Sequence, residues 1–187
     1  MRKWAVASSG IAPVALIGGW TLAATRQPAG YSPVHDTISA LAARDAQDRW
    51  VMTVGLAVLG ICHLLTASGL PEARPAGRVL LALGGVATVA VAALPQPAAG
   101  HVPAATAGFV ALALWPAFAD APSRVAARVA TVVLLALLGW LGLQLNGELL
   151  GLTERFVAGA ESLWPLAVVV VLLRRNARPS VSPGARR

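Results

Sequence analysis

The side chains able to do chemistry fall in three short stretches of this 187-residue chain. Tyr31, His35, Asp36 and Ser39 occupy the first, His101 the second, and Asn146, Glu154, Arg155 and Trp164 the third. Two chemistries fit those types. His35, Asp36, Ser39 and His101 are the kinds of residue that hold zinc and an activated water, so together they would suit an intramembrane metal-dependent hydrolase. Arg155 and His101 would instead meet an anionic head group while apolar helices hold a tail, as in an amphiphile-binding or transport pocket. A third reading has no chemistry: these residues cap helix ends and pair with one another in a structural or partner-binding protein. The lone Cys62 excludes an intramolecular disulfide and a cysteine metal cluster. There is no phosphate-cradling glycine loop, HExxH or nucleophile elbow. No cofactor is expected, and the missing nucleotide motif argues against coupling to ATP.

The elements that position these residues are read from composition. The chain is 57% apolar and 12% charged, with a mean hydropathy of +0.68. A net charge of +7 and a pI near 11.4 fit nucleic-acid binding in principle. So few charges cannot coat a soluble basic surface, so no nucleic-acid partner is expected. The chain reads as an all-α transmembrane bundle whose first partner is the lipid bilayer.

A helix needs about 20 apolar residues to cross a hydrocarbon layer about 30 Å thick. Six runs qualify, at about 4–24, 51–70, 76–94, 102–119, 125–146 and 158–173. The third and sixth are short and borrow residues from their flanks. Residues 1–175 thus form one six-helix domain, and 176–187 a basic, Pro- and Ser-rich tail expected to be disordered and drawn to anionic lipid. The first span follows Arg2 and Lys3 as a signal peptide would, but its apolar run is longer than a signal core, so it is expected to stay as a helix kinked at Pro13. As drawn, no span carries a central carboxylate to relay protons.

Orientation follows from charge. Eleven Lys and Arg residues fall on the side of the two termini and four on the other. The positive-inside rule therefore places both termini in the cytoplasm of a cytoplasmic membrane. Trp4, Trp50, Trp115 and Trp164 fall near the expected boundaries, where indole rings favour the headgroup zone. Frequent glycines in the spans allow close helix contact.

The first outer connection contains Ser32-Pro33, a good helix start, and then Val34, Ile38 and Leu41 at helical spacing. A short amphipathic helix at the bundle mouth is expected there, serving either as a plain interfacial cap or as one wall of a ligand site. Arg155 is expected to pair with a carboxylate such as Asp36 or Glu161. His63 lies about 20 Å down the second span at 1.5 Å per residue, too deep to join the outer histidines. It either bonds to a neighbouring helix backbone or is functional.

Several of these stretches together resemble the domain-of-unknown-function 998 (DUF998) family of small bacterial membrane proteins. They are Tyr31-Ser32-Pro33 leading to Ile38-Ser39-Ala40-Leu41, a proline-ended third span followed by Gly100-His101, and Gly151-Leu152-Thr153-Glu154-Arg155 with Trp164 before the last span. The similarity runs to about Arg175. It implies a six-span membrane protein and no particular activity. One departure is Gln96-Pro97-Ala98, where members of the family often carry an aspartate. The favoured expectation is an outward-facing polar pocket for a lipid or other amphiphile, lined by Tyr31, His35, Asp36, Ser39, His101, Asn146, Glu154, Arg155 and Trp164. Nothing in the residues specifies a protein partner.

Overall fold

The computed structural model describes residues 1–177. They form six α-helices: α1 (Lys3–Ala24), α2 (Trp50–Gly69), α3 (Pro75–Ala93), α4 (His101–Ala119), α5 (Arg124–Leu143) and α6 (Leu150–Asn176). No strand occurs among the described residues, and all six helices are long and apolar enough to span a membrane. Local chemistry marks several boundaries. Pro75 opens α3, where its missing N–H costs nothing. Ser123 caps α5 by accepting from the Ala126 N–H. Asp120 ends α4 in the left-handed region, at φ 53°.

Each helix packs on its neighbours in sequence, and α6 returns to α1, so the chain closes an up-and-down ring. The Arg2 N–H donates to the Gly69 carbonyl, and Arg175 to the Pro122 carbonyl. The beginning of α1, the α2–α3 and α4–α5 connections and the end of α6 therefore share one end, called here the terminal end. The other three connections form the loop end, where the Arg44 N–H donates to the Gln96 carbonyl.

Helices approach closely where side chains are absent. A Cβ on Gly60 would come within 2.6 Å of the Gly85 carbonyl oxygen, and one on Gly85 within 2.7 Å of the Gly60 oxygen. The α2 and α3 backbones thus touch directly, which is how helices associate when lipid removes the hydrophobic drive. Inside the ring, one apolar cluster built on Leu16, Ile38, Leu41 and Met52 fills the loop end. A second, built on Leu81, Leu112, Trp115, Val168 and Val169, fills the terminal end. Large apolar side chains cover the outside, as a lipid-facing surface requires: Val125 is 75% and Leu143 84% exposed.

The structure corrects two expectations. The sixth helix begins at Leu150, eight residues before the expected 158, because polar Thr153, Glu154 and Arg155 conceal its first turns from a hydropathy reading. A span therefore does carry a central carboxylate: Glu161 is the twelfth of the 27 residues of α6, and it is fully buried. In the first connection the short helix takes 3₁₀ form. Ser32 opens a single turn, with its carbonyl accepting from the His35 and Asp36 N–H groups, and a four-residue 3₁₀ helix, Ser39–Ala42, follows. Ile38 and Leu41 point into the bundle core, 3% and 0% exposed. Most of the basic tail, from residue 178 onward, lies outside the described residues.

The Gly60–Gly85 contact yields a test. Gly60→Ala must part α2 from α3, at about 1–3 kcal/mol by the usual cost of overpacking. Gly139→Ala, where a Cβ meets nothing within 4 Å, should cost no stability. Thermal unfolding of the two detergent-purified variants checks the contrast; equal melting temperatures would contradict the close α2–α3 crossing.

Candidate functional site

At the loop end, the first turns of α6 fasten the first connection. The Arg155 guanidinium donates through Nη1 to three backbone carbonyls, those of Pro33 (2.8 Å), Asp36 (2.7 Å) and Gly151 (2.8 Å), and through Nη2 to the Tyr31 hydroxyl. One planar cation thereby gathers four acceptors from two segments of the chain. The Leu152 N–H, one of the unpaired donors at the start of α6, bonds to the Val34 carbonyl at 2.9 Å. The buried Glu154 carboxylate accepts from the Ile38 N–H and from Ser39 Oγ (3.4 Å). Gly151 makes the approach possible, since any Cβ there would overlap the Asp36 backbone.

Two cavities meet at Glu154. The larger, about 410 Å³, is a groove between α4 and the α5–α6 pair. It runs from the loop end, at Thr37, Gln96 and His101, to Phe109 and Val110. His101 to Val110 spans nine residues of α4, about 14 Å at 1.5 Å per residue. Its walls are apolar along Leu138, Leu141 and Leu145, and its acidic group is Glu154. The smaller, about 60 Å³, lies at the centre of the ring. Its polar lining comes from Ser39, His63, Thr88, Glu154, Glu161 and Ser162, and α5 takes no part in it. Ser39, Ala105, Phe109 and Glu154 line both, so the groove and the central cavity adjoin.

The residues singled out from sequence separate into groups. Ser39, His101 and Glu154 line the groove. Tyr31, Arg155 and the Asp36 backbone form the fastening beside it. Arg155 thus differs from expectation: its acceptors are carbonyls and a phenol, and neither Asp36 nor Glu161 offers it a carboxylate. The Asp36 carboxylate instead accepts from the Ser32 N–H at 2.7 Å. His35 and Asn146 are exposed on their loops and line neither cavity. Trp164 packs against the apolar cluster of the terminal end rather than in an outer pocket. The proposed zinc ligands do not assemble. His35 faces out, His101 Nδ1 donates to the Leu94 carbonyl at 2.7 Å, and Ser39 is bonded to Glu154. Among the described residues no group of three or more His, Cys, Asp or Glu could hold a metal ion.

Two residues of the central cavity fall outside the sequence-level site. The sequence offers Glu161 as a partner for Arg155 and sets His63 too deep to join the outer histidines. The signal that would have found them is spacing. Glu154 and Glu161 are seven residues apart, two turns on one helical face, with Ala158 between them.

Compared with known families, residues 10–171 match the model described as "Protein of unknown function (DUF998)". No curated protein and no solved structure matches the chain.

The fastening predicts a titration. Burial pushes the Tyr31 phenol above its ordinary value of 10.0, with the neighbouring Arg155 charge pulling the other way. Tyr31 is the only tyrosine, so phenolate absorbance reads it directly. Because the folded state holds this proton more tightly than the unfolded chain, the contribution of the phenol to stability is complete below pH 10 and is lost as pH rises through the folded value. The expected midpoint lies above that of free tyrosine; an unshifted midpoint would mean that the phenol is not buried against the start of α6.

Proposed function

The chain belongs to the DUF998 family of multi-pass membrane proteins, and from its groove we propose that it binds an amphiphile entering from the lipid, with a hydrogen-bond-donating head group at Glu154. The observation that carries this reading is the chemistry of the groove: apolar walls converge on a buried carboxylate, and no Lys or Arg lines it. A volume of about 410 Å³ is within the usual range of about 300–1,000 Å³ for small-molecule pockets. Around the head position, the His101 Nδ1–H is already used on Leu94, which leaves Nε2 as an acceptor in the neutral ring. Glu154 keeps unused lone pairs beyond its bonds to Ile38 and Ser39.

Such a lining suits a hydroxyl or amine head and repels phosphate or carboxylate. This inverts the anionic head group that Arg155 and His101 would call for as ligand residues. By the distribution of basic residues, we place the groove on the non-cytoplasmic side of a cytoplasmic membrane, with both termini inside.

Native mass spectrometry tests the proposal with two lipids of identical acyl chains, diacylglycerol and phosphatidic acid. Diacylglycerol should be retained in preference. Gly142→Phe should abolish its retention without unfolding the protein, because Gly142 lines the groove and a Cβ there meets nothing within 4 Å. Preference for phosphatidic acid, or equal retention by Gly142→Phe, would refute the assignment.

A further inference from the structure

The centre of the ring holds two ionisable side chains that the fastening and the groove do not use. Glu161 is 1% and His63 0% exposed. Neither carboxylate oxygen of Glu161 and neither ring nitrogen of His63 has a hydrogen-bond partner among the described residues. Both line the central cavity. The third titratable group there is Glu154 of α6, while α1, α3, α4 and the first connection face the cavity with apolar residues, Thr88 and Ser39.

A lone carboxylate in such surroundings is among the costliest arrangements in a protein, whereas a neutral carboxyl needs only an acceptor. Acceptors are what the wall supplies. Thr88 Oγ1 donates to the Gly84 carbonyl (2.8 Å) and Ser162 Oγ to the Gly159 carbonyl (2.9 Å), so both hydroxyls turn lone pairs toward the cavity. The donors left to serve the lining are one His63 N–H and a protonated Glu161. At about 60 Å³ the cavity is large enough to admit water.

We propose that Glu161 and His63 form a proton-binding site within the membrane. One exchangeable proton rests on the Glu161 carboxyl and passes through water to the unprotonated nitrogen of His63. The O–H bond of the acid breaks and an N–H bond forms, leaving carboxylate and imidazolium in the same cavity, so neither charge stands alone. Access is from the loop end. Glu154 borders both the groove and the cavity and lies two turns, about 10 Å, from Glu161 along α6. Toward the terminal end, Leu81, Leu112, Trp115, Val168 and Val169 close the route. The proton on this site therefore equilibrates with one side of the membrane.

Infrared difference spectroscopy of the full chain in lipid nanodiscs tests this. Wild type should show the C=O stretch of a protonated carboxyl that shifts in heavy water, and Glu161→Gln should remove it. Glu154→Gln should slow its hydrogen–deuterium exchange severalfold. His63→Gln should shift the frequency of the band, a readout that stands even where Glu161→Gln fails to fold. A spectrum identical in wild type and Glu161→Gln, or a band unmoved by His63→Gln, would overturn the proposal. Loss of the band on adding sodium at constant pH would make this a metal-cation site and overturn it as well, and unchanged exchange in Glu154→Gln would overturn the route through Glu154.

Discussion

The fastening of the first connection to the first turns of α6 is the interaction on which the remaining geometry rests. A segment entering the mouth of a membrane bundle brings carbonyls that lipid cannot satisfy, and the start of a helix brings N–H groups in the same condition. Here each set answers part of the other. Arg155 takes the carbonyls of Pro33 and Asp36, the Val34 carbonyl takes the Leu152 N–H, and the Ile38 N–H goes to Glu154. Held this way, Ile38 and Ser39 become the lid of the central cavity, and Ser39 with Thr37 becomes the rim of the groove. The two compartments exist because one loop cannot lift away.

The spans were legible in the sequence because the bilayer imposes a length that a hydropathy reading sees directly. The first four helices lie within one residue of their expected bounds, and the fifth within three. The start of the sixth was not legible, because hydropathy assumes that polar residues lie outside the membrane segment. In α6 they lie on its inner face, against the fastened loop. The same assumption sent Glu161 to the boundary, although a helix of 27 residues runs about 40 Å and places it well inside a hydrocarbon layer about 30 Å thick. Among the residues singled out from sequence, Ser39, His101 and Glu154 line the groove. Arg155 was misassigned for a physical reason: a sequence displays ionic partners as letters, but it does not display backbone carbonyls, which are what the guanidinium meets.

The role of α5 follows from the same geometry. It takes no part in the central cavity and packs mainly against α4 and α6, with much of its surface exposed. The groove is the gap left between α4 and the α5–α6 pair toward the loop end. The leucines of α5 give that gap an apolar wall. The polar end comes from α6 and the loop, which is why an apolar chain and a donor head would be sorted to opposite ends of one slot.

The register of α6 ties these parts together. Gly151, Glu154, Ala158 and Glu161 recur at three- and four-residue intervals, so they share a face, and each meets a different depth of the bundle. A slip of one turn would set a side chain against the Asp36 backbone in place of Gly151 and separate Glu154 from Ile38. It would also drive the Glu161 carboxyl toward Trp115 and Val168, where there is no cavity to receive it. Fastening at the first turn and polarity at the fourth therefore specify the same axial position. That agreement is what holds a carboxyl at mid-membrane, and it is why the loop contacts and the buried Glu161 are parts of one structural solution.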